Sequence, residues 1–178
     1  MSTVTVSSVT GKPLAEEFEE IFREHYQLVY RTAYGVTGSP EDAEDVLQTI
    51  FLRLLRREFP PDLKKNPKAY LYRAAVNLSL NTIRSRKRDI LTNDTELFES
   101  RVYAVDSNSN EETQKRLLEA IAGLNPGAVE VLILRYVHNY SDAEIAKMLG
   151  TSRGTIAVSL FRSRARIKKL MRAGPEDK

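Results

Sequence analysis

With 178 residues, 42% hydrophobic and 29% charged, the chain has the length and composition of one or two small globular domains, not of a disordered or fibrous protein. It has no cysteine, so disulfides, thiol chemistry and cysteine-rich zinc sites are excluded, and no apolar run approaches the roughly 20 residues that a membrane helix needs. The formal net charge of +3 hides segregation: residues 14–62 carry net −6, residues 63–88 carry +8 without an acid, residues 89–113 carry −6, and residues 151–173 carry +7 without an acid.

Helical periodicity dominates from the start. Leu14, Phe18, Ile21, Phe22, His25, Leu28, Val29 and Ala33 recur at spacings of three and four, and Gly38 reads as a stop. Ser39-Pro40-Glu41-Asp42 opens a second helix, with Ser as N-cap, Pro in the first position and acids in the first turn. Its seam is Ala43, Val46, Leu47, Ile50, Phe51, Leu54 and Leu55, and Pro60-Pro61 ends it. Asn66-Pro67 opens a third helix that runs to about Arg88. Residues 89–110 lose the apolar period, gather Ser, Asn and Asp, and read as a flexible acidic linker. Four shorter helices follow, from about Glu111 to Gly123, from Asn125-Pro126 to Val137, from the capping box at Ser141–Glu144 to Gly150, and from Ser152 to about Arg172. The expected fold is all-α, with two small helical domains, residues 14–88 and 111–173, joined by that linker. Residues 1–11 lack the basic start and apolar run of a secretory signal, so a cytoplasmic protein without membrane insertion is expected.

The last two helices form a helix-turn-helix pattern: a capped short helix, a glycine turn and a longer basic helix. At 100° per residue, Ile156, Leu160, Ser163, Ile167 and Leu170 share one face, to pack on Ile145, Ala146 and Leu149. Val158, Phe161, Arg162, Ala165, Lys168 and Lys169 point the other way. An arginine beside an unburied phenylalanine suits a major groove, where one pairs with guanine and the other meets a thymine methyl. A basic helix docking on another protein is the competing reading. In the third helix, Leu71, Ala75, Val76, Leu78, Leu80 and Ile83 spread over a broad apolar arc. The narrow stripe left over is Tyr70, Arg73, Asn77, Asn81, Arg84 and Arg88, an aromatic among cations and amides, which suits single-stranded DNA.

The ordered motifs resemble a known family. Residues 140–156, with Leu160-Phe161-Arg162-Ser163-Arg164-Ala165-Arg166, resemble region 4 of bacterial RNA polymerase sigma factors; residues 42–54 resemble region 2.2, and residues 69–78 resemble regions 2.3 and 2.4. Order and length resemble the extracytoplasmic-function (ECF) group of the sigma-70 family. The resemblance implies a promoter-specificity subunit that binds core RNA polymerase through its β′ and β subunits, recognises promoter DNA and initiates transcription without being an enzyme. It implies a polymerase-binding face of Asp42, Asp45, Gln48, Leu52 and Arg53 on the β′ coiled coil. It assigns Lys64, Lys65, Lys68, Tyr70, Arg73, Asn77, Asn81, Arg84 and Arg88 to the −10 element, the lysines beside a pocket for a flipped base. It assigns Arg153, Thr155, Val158, Phe161, Arg162, Arg164 and Arg166 to the −35 element. Two features depart from the family: Tyr70 stands where Trp is usual, and Ala157, Val158 and Ser159 lack the cations often found near there. An anti-sigma factor is a further partner the group allows.

Other chemistry finds little support. Glu41, Asp42, Glu44 and Asp45 suit a helix dipole as well as they suit a partner, and no His or paired distant acid accompanies them to make a metal site. His25 and His138 are isolated and read as structural; neither a catalytic triad nor a phosphate loop is present, and neither cofactor nor metal is expected. The alternative reading is a helix-turn-helix regulator that acts without docking on polymerase.

Overall fold

The computed structural model describes residues 14–56, 59–92 and 108–172. Among the described residues there are eight helices and no strand: α1 (Leu14–Thr37), α2 (Pro40–Leu55), α3 (Pro61–Lys65), α4 (Pro67–Thr92), α5 (Asn108–Ala122), α6 (Pro126–Tyr136), α7 (Asp142–Leu149) and α8 (Arg153–Arg172). Helix α3 is an element the sequence reading passed over, because five residues between two prolines are too short to show a period. Helices α4 and α5 extend into both ends of the expected linker; its middle, residues 93–107, lies outside the described residues.

One capping device recurs. Ser39 Oγ accepts from the Asp42 amide, Asn66 Oδ1 from Ala69 and Asn125 Oδ1 from Ala128, and each of these caps is followed by a proline that fixes the first helical φ. The Ser141–Glu144 box closes α7 in both directions. Gly38 and Gly150 end α1 and α7 at φ +67° and +69°, a left-handed turn that a Cβ would strain.

The apolar faces assemble into two cores. The first joins α1, α2 and α4 through Val29, Ala33, Val46, Ile50, Phe51, Leu54, Leu71 and Ala75, with Leu63 of α3 sealing one end. The second is built from α5–α8, with Leu124, Val129, Leu132, Leu134, Ile145, Ile156 and Leu160 at its centre. Helix α4 belongs to both. Its broad arc splits, Leu71 and Ala75 facing the first core while Tyr72, Val76 and Leu80, with Val36 of α1, face the second. The two helical domains therefore pack directly on each other.

Candidate nucleic-acid and polymerase interfaces

Helix α8 divides cleanly. Ile156, Leu160 and Ser163 are buried, and the Ser163 hydroxyl is satisfied by the Ser159 carbonyl at 2.7 Å. Ile167 is half-buried and Leu170 is exposed, so the buried face ends about a turn earlier than its period predicts. On the outer side Phe161 is 75% exposed and Val158 47%, and Arg153, Thr155, Arg162, Arg164 and Arg166 are exposed with them. Every expected −35 residue is thus exposed on α8, with Val158, Phe161 and Arg162 on the outer face and Arg164 and Arg166 on its two flanks. Thr155 also has a local duty: its amide donates to Ser152 Oγ at 3.1 Å and the two hydroxyls are 2.8 Å apart.

Helix α4 is less open. Asn77, Asn81 and Arg88 are exposed, Lys64 and Lys65 are exposed at the end of α3, and Tyr70 is half-buried against the first core. Three expected cations instead meet the C-terminal domain. Arg84 is half-buried and donates from Nε to the Ala122 carbonyl at 3.1 Å and from Nη2 to the Leu124 carbonyl at 2.8 Å. Arg73 donates to the Leu149 carbonyl at 3.2 Å and sits 3.9 Å from Glu130. Lys68 lies over the Tyr140 ring, 4.9 Å from its centroid.

Helix α2 presents Asp45, Gln48, Leu52 and Arg53 to solvent. Asp42 corrects the expected face. It is 3% exposed, turned inward beneath the end of α4, where one carboxylate oxygen pairs with Arg86 and the other has no hydrogen-bond partner. Burial holds its pKa above the ordinary carboxylate range against the pull of Arg86. A buried, paired carboxylate cannot face a partner, so Asp42 belongs to the fold. Beside the exposed acids runs an open groove of about 580 Å³ between α1 and α2, lined by Tyr26, Gln27, Tyr30, Arg31, Glu44, Leu47 and Gln48.

Sequence reasoning missed the aromatic side of that groove. Phe18, Phe22, Tyr26, Tyr30 and Tyr34 recur strictly every fourth residue, a step of 400° that drifts about 40° per repeat around a helix. Such a ladder must leave the buried seam, and Phe22, Tyr26 and Tyr34 are exposed. Phe18–Phe22 and Phe22–Tyr26 stack along it, with centroids 6.3 and 5.6 Å apart. Leu55, exposed one turn beyond Leu52, was read as seam and is surface.

Sequence reasoning also passed over Arg31, Thr32 and Tyr72, which join the domains, and read their neighbour His138 as isolated and structural. Arg31 donates to the Val137 carbonyl at 2.8 Å, Thr32 Oγ1 lies 2.9 Å from His138 Nε2, and the Tyr72 hydroxyl donates to the Glu130 carbonyl. His138 is pushed down to about 4 by burial first, then by Arg31 and Lys68. Burial raises Glu130, opposed by Arg73, and raises Tyr72.

An open basic helix after a glycine turn, a polar stripe on α4 and an acidic exposed face on α2 occur in the order of a sigma factor, and comparison with known proteins agrees. Residues 21–89 match the Sigma-70 region 2 family model and residues 114–167 match that of Sigma-70 region 4. The RNA polymerase sigma-E factor of Streptomyces antibioticus is 33% identical over 153 residues, covering 86% of this chain and 83% of the relative. The chain belongs to the ECF group of the sigma-70 family. The ECF RNA polymerase sigma factor SigW of Bacillus subtilis is 25% identical over 88% of this chain and 90% of the relative. In fold, the sigma factor resembles RpoE of Bartonella quintana, solved in complex with the anti-sigma factor NepR, with a TM-score of 0.52 and 21% identity over 89% of this chain and 98% of that one. As a sigma factor it is a promoter-specificity subunit that binds core RNA polymerase, recognises −35 and −10 elements and initiates transcription. No described helix is long and apolar enough to cross a membrane.

Proposed function

We propose a division of that work among named surfaces. Helix α8 enters the −35 major groove with Phe161, Val158 and Arg162 toward base edges, while Arg153, Arg164 and Arg166 meet phosphates. The exposure of Phe161 carries this assignment: a ring three-quarters exposed beside arginines gains nothing from the fold and suits thymine methyls. Thr155 supports the helix start and reaches DNA from there. The α4 stripe, through Tyr70, Asn77, Asn81, Arg84 and Arg88, holds the non-template strand of the melted −10 element, with Arg73, Lys64, Lys65 and Lys68 along its backbone.

Asp45, Gln48, Leu52 and Arg53, extended by the α1–α2 groove, dock on the β′ subunit of polymerase. The first domain runs through α4 to Thr92 and the second begins with α5 at Asn108, with residues 93–107 between them as the tether, and the β subunit completes the core contact. The chain has no catalytic role of its own; polymerase performs the chemistry, in the cytoplasm. An anti-sigma factor, such as the NepR that binds RpoE of Bartonella quintana, is the partner through which this activity is withheld. A regulator acting without polymerase would leave the Asp45 face without a task. Pull-down on core polymerase followed by run-off transcription tests the reading. Retention on core and promoter-dependent transcripts are expected; DNA binding without retention on core would overturn it.

A further inference from the structure

Helix α4 is held unevenly along its length, which is about 39 Å at 1.5 Å per residue over its 26 residues. Its first half is gripped from both sides, by Leu71 and Ala75 in the first core and by Tyr72, Val76 and Leu80 in the second. From Asn81 to Arg88 no side chain is buried, and the one apolar residue, Ile83, is only partly covered. This outer half carries Asn81, Arg84 and Arg88 of the stripe, so its placement rests on polar ties. Arg84 donates to the Ala122 and Leu124 carbonyls of the C-terminal domain, but an arginine assigned to DNA cannot hold α4 in place while it is engaged there. Arg86 has no such second task. At 100° per residue it stands about 180° around the helix from Asn77, so it points away from the stripe. Its guanidinium donates to the buried carboxylate of Asp42 on α2, within the first domain.

The chemistry of this pair suits placement better than stability. Asp42 is 3% exposed and keeps one carboxylate oxygen without a partner, while the Arg86 side chain is 59% exposed. Two apolar side chains would serve packing at least as well, because a buried carboxylate gives up its hydration. What the ion pair adds is direction: a guanidinium N–H on a carboxylate fixes the rotation and register of a helix, where an apolar contact lets it slide. Asp42 also lies one turn before Asp45 of the docking face, and Arg86 lies between Arg84 and Arg88 of the stripe. We propose that Asp42 and Arg86 are positioning residues for promoter opening: their pair locks the outer half of α4 to α2, so that docking of α2 on polymerase also sets where the stripe meets the melted −10 strand. This rests on the docking and stripe assignments made above.

The test uses holoenzyme reconstituted from core polymerase and the full chain, on a fragment that the wild-type holoenzyme selects from a randomised duplex library. The fragment is prepared fully paired and, separately, with its −10 bases mismatched. Because Arg86→Ala alone would strand a buried carboxylate, the deciding variant is Asp42→Leu/Arg86→Met, which removes both charges and the tie together. It should keep the thermal midpoint and the affinity for core, yet open the paired fragment about tenfold less, read by permanganate footprint and run-off yield. On the mismatched fragment, where unstacking is already done, it should regain most of the wild-type yield. A double variant that opens the paired fragment like wild type overturns the proposal. So does a defect equally large on mismatched DNA, or a matching loss of affinity for core, since either marks a general loss of structure. If the double variant misfolds, Asp42→Ala, which lets the largely exposed Arg86 turn to water, is judged by the same paired-to-mismatched ratio. Failure of the underlying assignments looks different: Asn77→Ala and Asn81→Ala holoenzymes then open the paired fragment like wild type, or the wild-type chain is not retained on core.

Discussion

Helices α4 and α8 carry most of the two basic blocks of the chain, residues 63–88 at +8 and residues 151–173 at +7, each without an acid, and in sequence the blocks look like equals. In the structure they are not. Helix α8 buries one narrow face and leaves its cations and Phe161 outside. Helix α4 lies between two cores, and Lys68, Arg73 and Arg84 are taken up by the neighbouring domain. A count of charge therefore states how much counterion release a segment can offer, while the neighbours of each cation determine how much is on offer in a given conformation.

The sharpest way to break this contrast is on adjacent residues of α8. Leu160 is 1% exposed and Phe161 75%. Leu160→Ala should cost about 2–5 kcal/mol of stability, read as a lower urea midpoint, because the second core loses a central side chain. Phe161→Ala should change stability by no more than about 0.5 kcal/mol and yet weaken promoter binding. If Phe161→Ala also unfolds the domain, α8 is not open on that side.

Much of this was legible beforehand, and what was not has physical causes. The Ser-Pro and Asn-Pro starts, the glycine stops and the Ser141–Glu144 box act within a few residues, so sequence displays them directly. Asp42 did not show: its neighbours Glu41, Glu44 and Asp45 are exposed, and only Arg86, 44 residues later, draws it inward. Tyr72 and Arg84 hid for the same reason, since both stand on α4 at positions whose role depends on where the second domain comes to rest. The Tyr26–Tyr30 side of the groove was visible as a strict four-residue repeat and went unread because apolar spacing was taken for core.

The next contrast lies within the outer face of α8. Arg162→Ala should relax preference at one or two −35 positions by about 1–3 kcal/mol, measured on a randomised −35 library. Arg166→Ala should weaken all sequences about equally and lower the salt slope by about one unit. If Arg166 proved to set the preferred sequence and Arg162 did not, the face assignment would be reversed.

Two acids three residues apart on α2 offer a smaller but clean comparison. Asp45→Arg should weaken binding to core polymerase about tenfold, roughly 1.4 kcal/mol, with helical content unchanged. Asp42→Asn should leave core affinity as it is and alter the thermal midpoint, because its carboxylate serves Arg86. Competition for core polymerase and circular dichroism read the two effects separately. A core defect from Asp42→Asn equal to that of Asp45→Arg would return Asp42 to the docking face.

The smallest effect concerns the junction and pH. His138 is surrounded by Thr32 and Arg31 of α1, Tyr72 and Lys68 of α4, and Tyr140 of its own domain. Burial first, then Arg31 and Lys68, push it down from 6.5 to about 4, so the packed form holds it neutral. A separated domain leaves the imidazole in water near 6.5 and binds a proton more readily. Stability of the junction from this group is therefore intact above about pH 6.5 and is lost progressively as pH falls toward 4. Glu130, 3.9 Å from Arg73, is raised by burial, so its own effect runs the other way, favouring the packed form as pH falls. The difference between wild type and His138→Gln isolates the histidine. Between pH 7.5 and 5 the wild-type radius of gyration should grow more than that of His138→Gln, and identical pH profiles would remove His138 from the junction's balance.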